Sequence, residues 1–515
     1  MADPSYYIFP YSIILLNPVR GKGDVTMEES KGKLNLLELI ALVVGSIVGG
    51  GVFNLMHDMS ANAGAGAIII GWIITAFGMI MLALTFQNLT MKRPDLDAGV
   101  YSYAEAGFGK YMGFNSAWGY WASAWLGNVG YATLLMSAVA YFFPIFGDGQ
   151  NIWSIVAASF ILWGCHFMIL RGVESASFVN TIITIAKLIP IFIFLVTMII
   201  AFKLGVFTHG FWFTPSGSFQ FADVMKQVQS TMLVTVWVFI GIEGAVVFSG
   251  RAKKREDVGR ATVLGIITVI LIYMLITLLS LGVMRRGGLA NLGQPAMAYL
   301  LQSVVGKWGA VLVNAGLIIS VVGAWLSWTM FAGQLPYEAA KEGSFPKFFA
   351  KENKNGAPVN SLLFTNICVE IFMFSYLITA SAYNFFYSVA SAAILIPYMF
   401  SAFYQLKFSK NESLDTPGRS WNITVGVISS IYALWLLYAA NLGFIMLMSL
   451  LFALGIPVFM QLQKKDNHAE KVFTSGERIV AIVIGVLAII TIIELFRLGM
   501  NDFLGLTWGD FGKLF

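Results

Sequence analysis

The richest chemistry in this chain lies in seven consecutive residues, Gly45-Ser46-Ile47-Val48-Gly49-Gly50-Gly51. They interrupt an apolar run, 36–56, that is about long enough to cross a bilayer as one helix. Four of the seven are glycine, and each glycine weakens a helix by about 1 kcal/mol relative to alanine. The pattern predicts a helix break at membrane depth. Backbone freed there is tolerated only where it is buried in protein or lines a cavity. Its bare N–H groups suit an anion such as the carboxylate of an amino acid. Close small-residue packing against a neighbouring helix is the other reading of the same run.

A second candidate break is Trp237-Val238-Phe239-Ile240-Gly241-Ile242-Glu243-Gly244. Glu243 places a carboxylate where charge is expensive, so it is a candidate proton carrier, gate latch or cation contact. A structural carboxylate capped by backbone N–H groups is the plainer alternative. Lys187, in Ile185-Ala186-Lys187-Leu188-Ile189-Pro190, is too central in its span to snorkel easily. Its ammonium reads as a structural cation that holds helix ends together, ahead of a direct substrate contact. Trp237, Trp325 and Trp328 are deep rather than interfacial, and an indole face attracts ammonium or guanidinium. Trp325 and Trp328 are three apart on one helical face, so one of them is free simply to pack. Asn128 can hydrogen-bond a substrate head group or a neighbouring helix. Glu370 and His166 read as satisfied packing residues, and Glu38 and Glu494, near span ends, as hydrated.

The elements that must position these groups are membrane spans. Of 515 residues 58% are hydrophobic and 11% charged, with mean hydropathy +0.76, whereas soluble domains carry about 25% charged residues. Apolar runs of spanning length fall at 36–56, 66–88, 113–145, 152–171, 177–204, 230–250, 261–284, 308–338, 360–380, 384–406, 420–440, 443–462 and 477–496. An inward N-terminus places most of the 32 Lys and Arg residues on the cytoplasmic side, so that orientation is expected. The net charge of +5 then needs no nucleic-acid partner. Cys165 and Cys368 read as packing residues, not as a disulfide or metal site. No P-loop is present, no cofactor is called for, and the four scattered histidines do not suit a membrane enzyme. No span shows the continuous polar stripe of a channel.

The two breaks fall in spans 1 and 6, each the first of a group of five. Paired interruptions of this kind point to a transporter site built from an inverted repeat. The expected organisation is a cytoplasmic tail (1–33), a first repeat (34–208), a second repeat (228–408), additional spans (418–497) and a C-terminal tail (498–515). Residues 1–26 read as an extension, because Tyr6 to Leu16 is too short to span and Met27-Glu28-Glu29-Ser30 is the more natural start.

Gly45 to Phe53, Trp237 to Glu243 and Ala332-Gly333-Gln334 resemble the amino acid–polyamine–organocation superfamily, over nearly all of 34–460. The likeness is strongest to basic amino acid/polyamine antiporters. Tyr111 to Trp121, Phe248 to Ala252 and Asp257 to Thr262 are similar to the arginine/ornithine branch of the arginine deiminase pathway. The resemblance implies an all-α, five-plus-five inverted-repeat (LeuT-like) fold of 12–13 spans with spans 1 and 6 broken. It implies that N–H groups of Ser46 to Gly51, including Gly49 and Gly50, hold a substrate carboxylate. Carbonyls of Ile47, Trp237 and Ile240 would hold its ammonium. By similarity to the arginine–agmatine exchanger, Trp328 would stack on the substrate stem, Asn128 and Ser123 would lie near its cationic end, and Tyr120, Trp237, Glu243 and Tyr398 would act as gates. Lys187 matches a lysine that stands in for sodium. Gly50 departs from a serine of that exchanger, Ser123 and Ala124 from an alanine and a cysteine, and Ala324 and Ala390 from serines. The implied activity is arginine/ornithine exchange by alternating access in a prokaryotic cell membrane. Lysine/cadaverine exchange, arginine/agmatine exchange or lysine uptake are its rivals, and a homodimer is usual in the family.

Overall fold

The computed structural model describes residues 35–96, 100–172, 177–243, 255–377, 381–465 and 472–513, and residues 1–26, expected above to be an extension, lie outside them. The chain is a helical membrane bundle. Nine helices among the described residues are long and apolar enough to span. The four other predicted spans fall outside those nine. Spans 1 and 6 are interrupted, the start of span 5 is only partly described, and span 3 is diluted by the polar residues and glycines it carries.

The principal helices, in chain order, begin with α1 (Leu36–Ile47), α2 (Leu55–Ser60), α3 (Ala65–Lys92), α4 (Val100–Phe108) and α5 (Lys110–Ala140). Then follow α6 (Ile152–Leu170), α7 (Ser177–Ala201), α8 (Phe221–Phe239), α9 (Arg255–Val283) and α10 (Ala296–Val305). The remainder are α11 (Lys307–Lys341), α12 (Val359–Met373), α13 (Ala382–Asn411), α14 (Arg419–Ala439), α15 (Leu442–Lys465) and α16 (Ser475–Leu498). Span 1 is α1 plus α2, span 3 is α5, span 6 begins with α8 and span 13 is α16.

Helix α5 is central. It packs on α13, α11 and α4, while α1 lies on α9 and α8 on α3. All but the last two and the first of its residues are buried, which explains its composition: a helix shielded from lipid on every side need not be apolar throughout. Helix α16 is the opposite case, with Ile479, Ile482, Ile489 and Phe496 exposed as lipid-facing residues are. Prolines lie inside α7, α11, α13 and α15, as membrane helices tolerate where neighbouring groups take up the freed carbonyls; the Ala332 carbonyl, freed by Pro336, accepts from Thr365 Oγ1 at 3.4 Å. After α16 the chain folds back, and Trp508 Nε1 donates to the Tyr438 carbonyl at 2.6 Å. Glu494 is not hydrated as the sequence suggested: it is 4% exposed and pairs with Arg497 one turn on, at 2.5 Å. Glu370 and His166 are satisfied, by Ser159 at 2.6 Å and by Asn366 at 3.1 Å. The Glu38 side chain lies outside the described residues. Cys165 and Cys368 are both free.

Candidate functional site

Helix α1 stops at Ile47. Val48 and Gly49 leave the helix, Gly49 being extended (φ −103°, ψ −155°), and a 3-10 turn over Gly50–Phe53 restarts the span before α2. The first N–H groups of a restarted helix have no partner within it. The glycines are also needed for space. A Cβ on Gly49 would lie 3.0 Å from the Tyr131 hydroxyl, on Gly50 2.8 Å from Leu134 and on Gly51 2.8 Å from the Trp237 ring. Break and close packing, set as alternatives by the sequence, therefore coexist.

Lys187, on α7, reaches this break from the side. Its ammonium donates to the Gly45 carbonyl and, at 2.9 Å, to the Val48 carbonyl, both freed where the helix opens. The side chain is buried. A cation on two desolvated carbonyls supplies charge-assisted bonds where the helix itself supplies none.

Helix α8 stops at Phe239. Ile240 turns out of the helix (φ −58°, ψ 129°), and Gly241 takes φ +101°, a conformation glycine adopts without penalty. Glu243 follows in the turn and receives two phenols, Tyr120 Oη from α5 and Tyr398 Oη from α13, the second at 2.6 Å. Three elements thus meet on one carboxylate. Gly244, the rest of span 6 and the motif Phe248 to Ala252 lie outside the described residues.

Between the two breaks stands Trp237. Its Nε1 donates to Tyr383 Oη at 3.1 Å, and its ring lies near Tyr387 (6.2 Å, 27°) and Tyr131 (5.7 Å). The Trp237 carbonyl accepts from the Ile240 N–H at 3.3 Å. Asn128 is fully buried on α5. Its Nδ2 is 3.5 Å from Thr329 Oγ1, and its Oδ1 has no hydrogen-bond partner. Ser123 Oγ, also buried, has none either. Of the two tryptophans on α11, Trp325 is fully buried and packs, whereas Trp328 is half-buried. Trp328 meets Phe331 edge-on (5.3 Å, 86°), and Phe331 meets Tyr120 (5.3 Å), so an aromatic line runs from Trp328 to the Glu243 cluster. Ser46 occupies the last turn of α1, and its side chain lies outside the described residues. A cavity of about 80 Å³ lined by Glu105, Lys110, Glu342 and Phe459 touches none of these groups. No group of side chains suited to a metal occurs among the described residues.

The sequence reading named Tyr120 and Tyr398 but missed three other tyrosines, Tyr273, Tyr131 and Tyr383. Tyr273, in the apolar middle of α9, lies 3.3 Å from the Ile47 carbonyl and 3.3 Å from the Val238 carbonyl, joining the two breaks through one hydroxyl. Tyr131 presses on Gly49 and Gly50, and Tyr383 holds the Trp237 indole. A lone phenol at mid-span was the available signal for Tyr273.

Two half-opened helices facing each other in a bundle of this helix order define a secondary transporter of the broken-helix, inverted-repeat class. The crystal structure of MhsT in complex with L-phenylalanine matches with a TM-score of 0.53 at 14% identity, covering 78% of this chain and 98% of that one, a likeness of fold. The profile of the amino acid permease family matches residues 34–446. The chain belongs to that family, within the amino acid–polyamine–organocation superfamily. It is 48% identical to an arginine/ornithine antiporter of Pseudomonas aeruginosa, over 89% of this chain and 97% of that protein. It is 42% identical to an arginine/ornithine antiporter of Latilactobacillus sakei (91% and 98% covered) and 42% identical to an arginine/agmatine antiporter of Chlamydia pneumoniae (92% and 98%).

Proposed function

We propose that this protein exchanges arginine for ornithine across the cell membrane of a prokaryote, with its N-terminus inside, by alternating access. The substrate's carboxylate would meet the N–H groups of Ser46 to Gly51. Its ammonium would meet the carbonyls of Ile47, Trp237 and Ile240, displacing the Tyr273 hydroxyl from Ile47. Its stem would lie on Trp328, with the cationic end toward Asn128 and Ser123. The observation that carries the reading is Asn128: a fully buried amide oxygen without a partner is costly, and a guanidinium or ammonium N–H satisfies it. Tyr120, Trp237, Glu243 and Tyr398 would form the gate, and Lys187 the fixed cation of the first break. The names borne by two relatives favour the ornithine counter-substrate. Arginine/agmatine exchange is the second reading, favoured by the chlamydial relative. Against it stands Gly50, where the resembled exchanger has a serine and where a Cβ would press on Leu134 at 2.8 Å.

Arginine and ornithine each carry one positive charge, so their exchange moves no net charge, whereas agmatine carries two. Counter-flow in proteoliposomes tests both points. Trapped ornithine is expected to drive labelled arginine uptake faster than agmatine, lysine or cadaverine, with no response to an imposed potential. Faster uptake against agmatine, together with sensitivity to potential, would establish the second reading instead. A dimer, expected by analogy with the family, would appear as twice the protomer mass in detergent-corrected light scattering.

A further inference from the structure

The helix that carries Tyr120, Ser123, Asn128 and Tyr131 begins without a cap of its own. The residue at its N-cap is Gly109, at φ +99°, which has no side chain to accept from the first N–H groups. The missing acceptor comes from the far end of the chain. Glu477, in the first turn of α16, accepts from the Tyr111 N–H through Oε1 at 2.9 Å. Its other oxygen, Oε2, accepts from the Thr474 N–H at 2.9 Å and closes the capping box of α16. One carboxylate therefore starts two helices, one in the additional spans and one in the first repeat.

The arrangement is built, not incidental. Glu477 is 7% exposed. Its carboxylate sits over the bare face of Gly109, where a Cβ would lie 2.8 Å from Oε1. The Tyr111 ring is fully buried beside it, against Phe459 of α15 at 4.9 Å and Phe473 at 5.2 Å. A negative charge at a helix N-terminus is favoured by the helix dipole as well as by the hydrogen bond. Tyr120 follows Tyr111 on the same rigid helix, about 13 Å along the axis. A shift of the α5 terminus is therefore transmitted to the phenol that meets Glu243.

We propose that Glu477 is a positioning residue for exchange: from outside the two five-helix repeats it fixes the start of α5 and so keeps Tyr120 within reach of Glu243. The last span is then a working part of the carrier rather than an appendage. The transport readout of this proposal rests on the exchange reading above.

The test uses the full-length protein in two measurements. The first is the ratio of ornithine-driven arginine uptake to arginine leak without counter-substrate. The second, which needs no substrate, is amide hydrogen exchange in the peptide containing Tyr111. Glu477→Ala and Gly109→Ala are both expected to lower the exchange-to-leak ratio by about fivefold, the scale of a lost helix cap, and to speed Tyr111 exchange to a like degree. Glu477→Gln has one acceptor oxygen for the two N–H groups of Tyr111 and Thr474 and is expected to fall between wild type and Glu477→Ala in both. Should Glu477→Ala not accumulate in the membrane, Glu477→Asp, whose shorter arm withdraws from Tyr111, decides on the same readouts. Unchanged ratio and unchanged Tyr111 protection in Glu477→Ala and Gly109→Ala, or in Glu477→Asp where it stands in for Glu477→Ala, would overturn the proposal. A fall in expression with an unaltered ratio would do the same, because a merely structural residue lowers the amount of carrier and not its coupling. If wild type exchanges no basic amino acid, the exchange reading fails, and Tyr111 protection alone decides the positioning role.

Discussion

In the first span the break is held by a cation on backbone: Lys187 bonds the carbonyls of Gly45 and Val48. In the sixth it is held by an anion on side chains, Glu243 receiving Tyr120 and Tyr398. The difference bears on what each break can do. Carbonyls of an opened helix have no other partner in a membrane, so the first anchor is costly to undo. Phenols find new partners by rotating a side chain, so the second anchor can release and re-form. We propose on this ground that the first break is a fixed seat and the second a latch.

Substitutions can break or sharpen this contrast. Lys187→Met, which leaves two buried carbonyls without a donor, is expected to have the largest effect, a loss of about 3 kcal/mol of stability together with exchange. Thermal unfolding in detergent checks it, and an unchanged midpoint would remove the seat from the argument. Glu243→Gln is expected to slow turnover about tenfold, as a charged hydrogen bond becomes a neutral one, with half-saturation for arginine shifting far less. Equal changes in both kinetic constants would make Glu243 a binding group rather than a latch. Trp328→Leu touches neither anchor and calibrates the comparison: arginine binding is expected to weaken by about 1–2 kcal/mol in a direct binding assay, with the folded state intact. The smallest effect, about 1 kcal/mol of stability, is expected for Tyr273→Phe, which removes only the hydroxyl shared by the two breaks. A larger loss from that single atom would mean that seat and latch are one unit.

The breaks themselves were legible in the sequence because glycine and buried charge are conspicuous in apolar runs. Gly49 to Gly51, Gly241, Glu243 and Lys187 all announce a local cost that something must offset. The spans followed from length and hydropathy. What stayed hidden is contact made by ordinary-looking residues with distant backbone. Tyr273 resembles any packed aromatic until its hydroxyl is seen between carbonyls from two other helices. Glu477 reads locally as the third residue of a capping box, and only the fold brings Tyr111 to its second oxygen. Glu494 was misread because distance from a span end is a poor guide to burial: it is 4% exposed and pairs with Arg497. The residues proposed to bind substrate carry less signal than the breaks, since the Asn128 amide reads equally well as a helix contact and Ser123 stands out only by resemblance; the fold adds that Asn128 Oδ1 and Ser123 Oγ are buried and unpartnered.

One contact has a mechanical meaning. At Gly51 the backbone of the first span and the indole of Trp237 abut with hydrogen alone between them, and a Cβ there would come within 2.8 Å of the ring. Parts fitted with so little clearance behave like a bearing: neither helix can tilt about its gap without pushing the ring of the other. Motion begun at one break would thus reach the other by direct contact, alongside the hydroxyl of Tyr273 that the two breaks share.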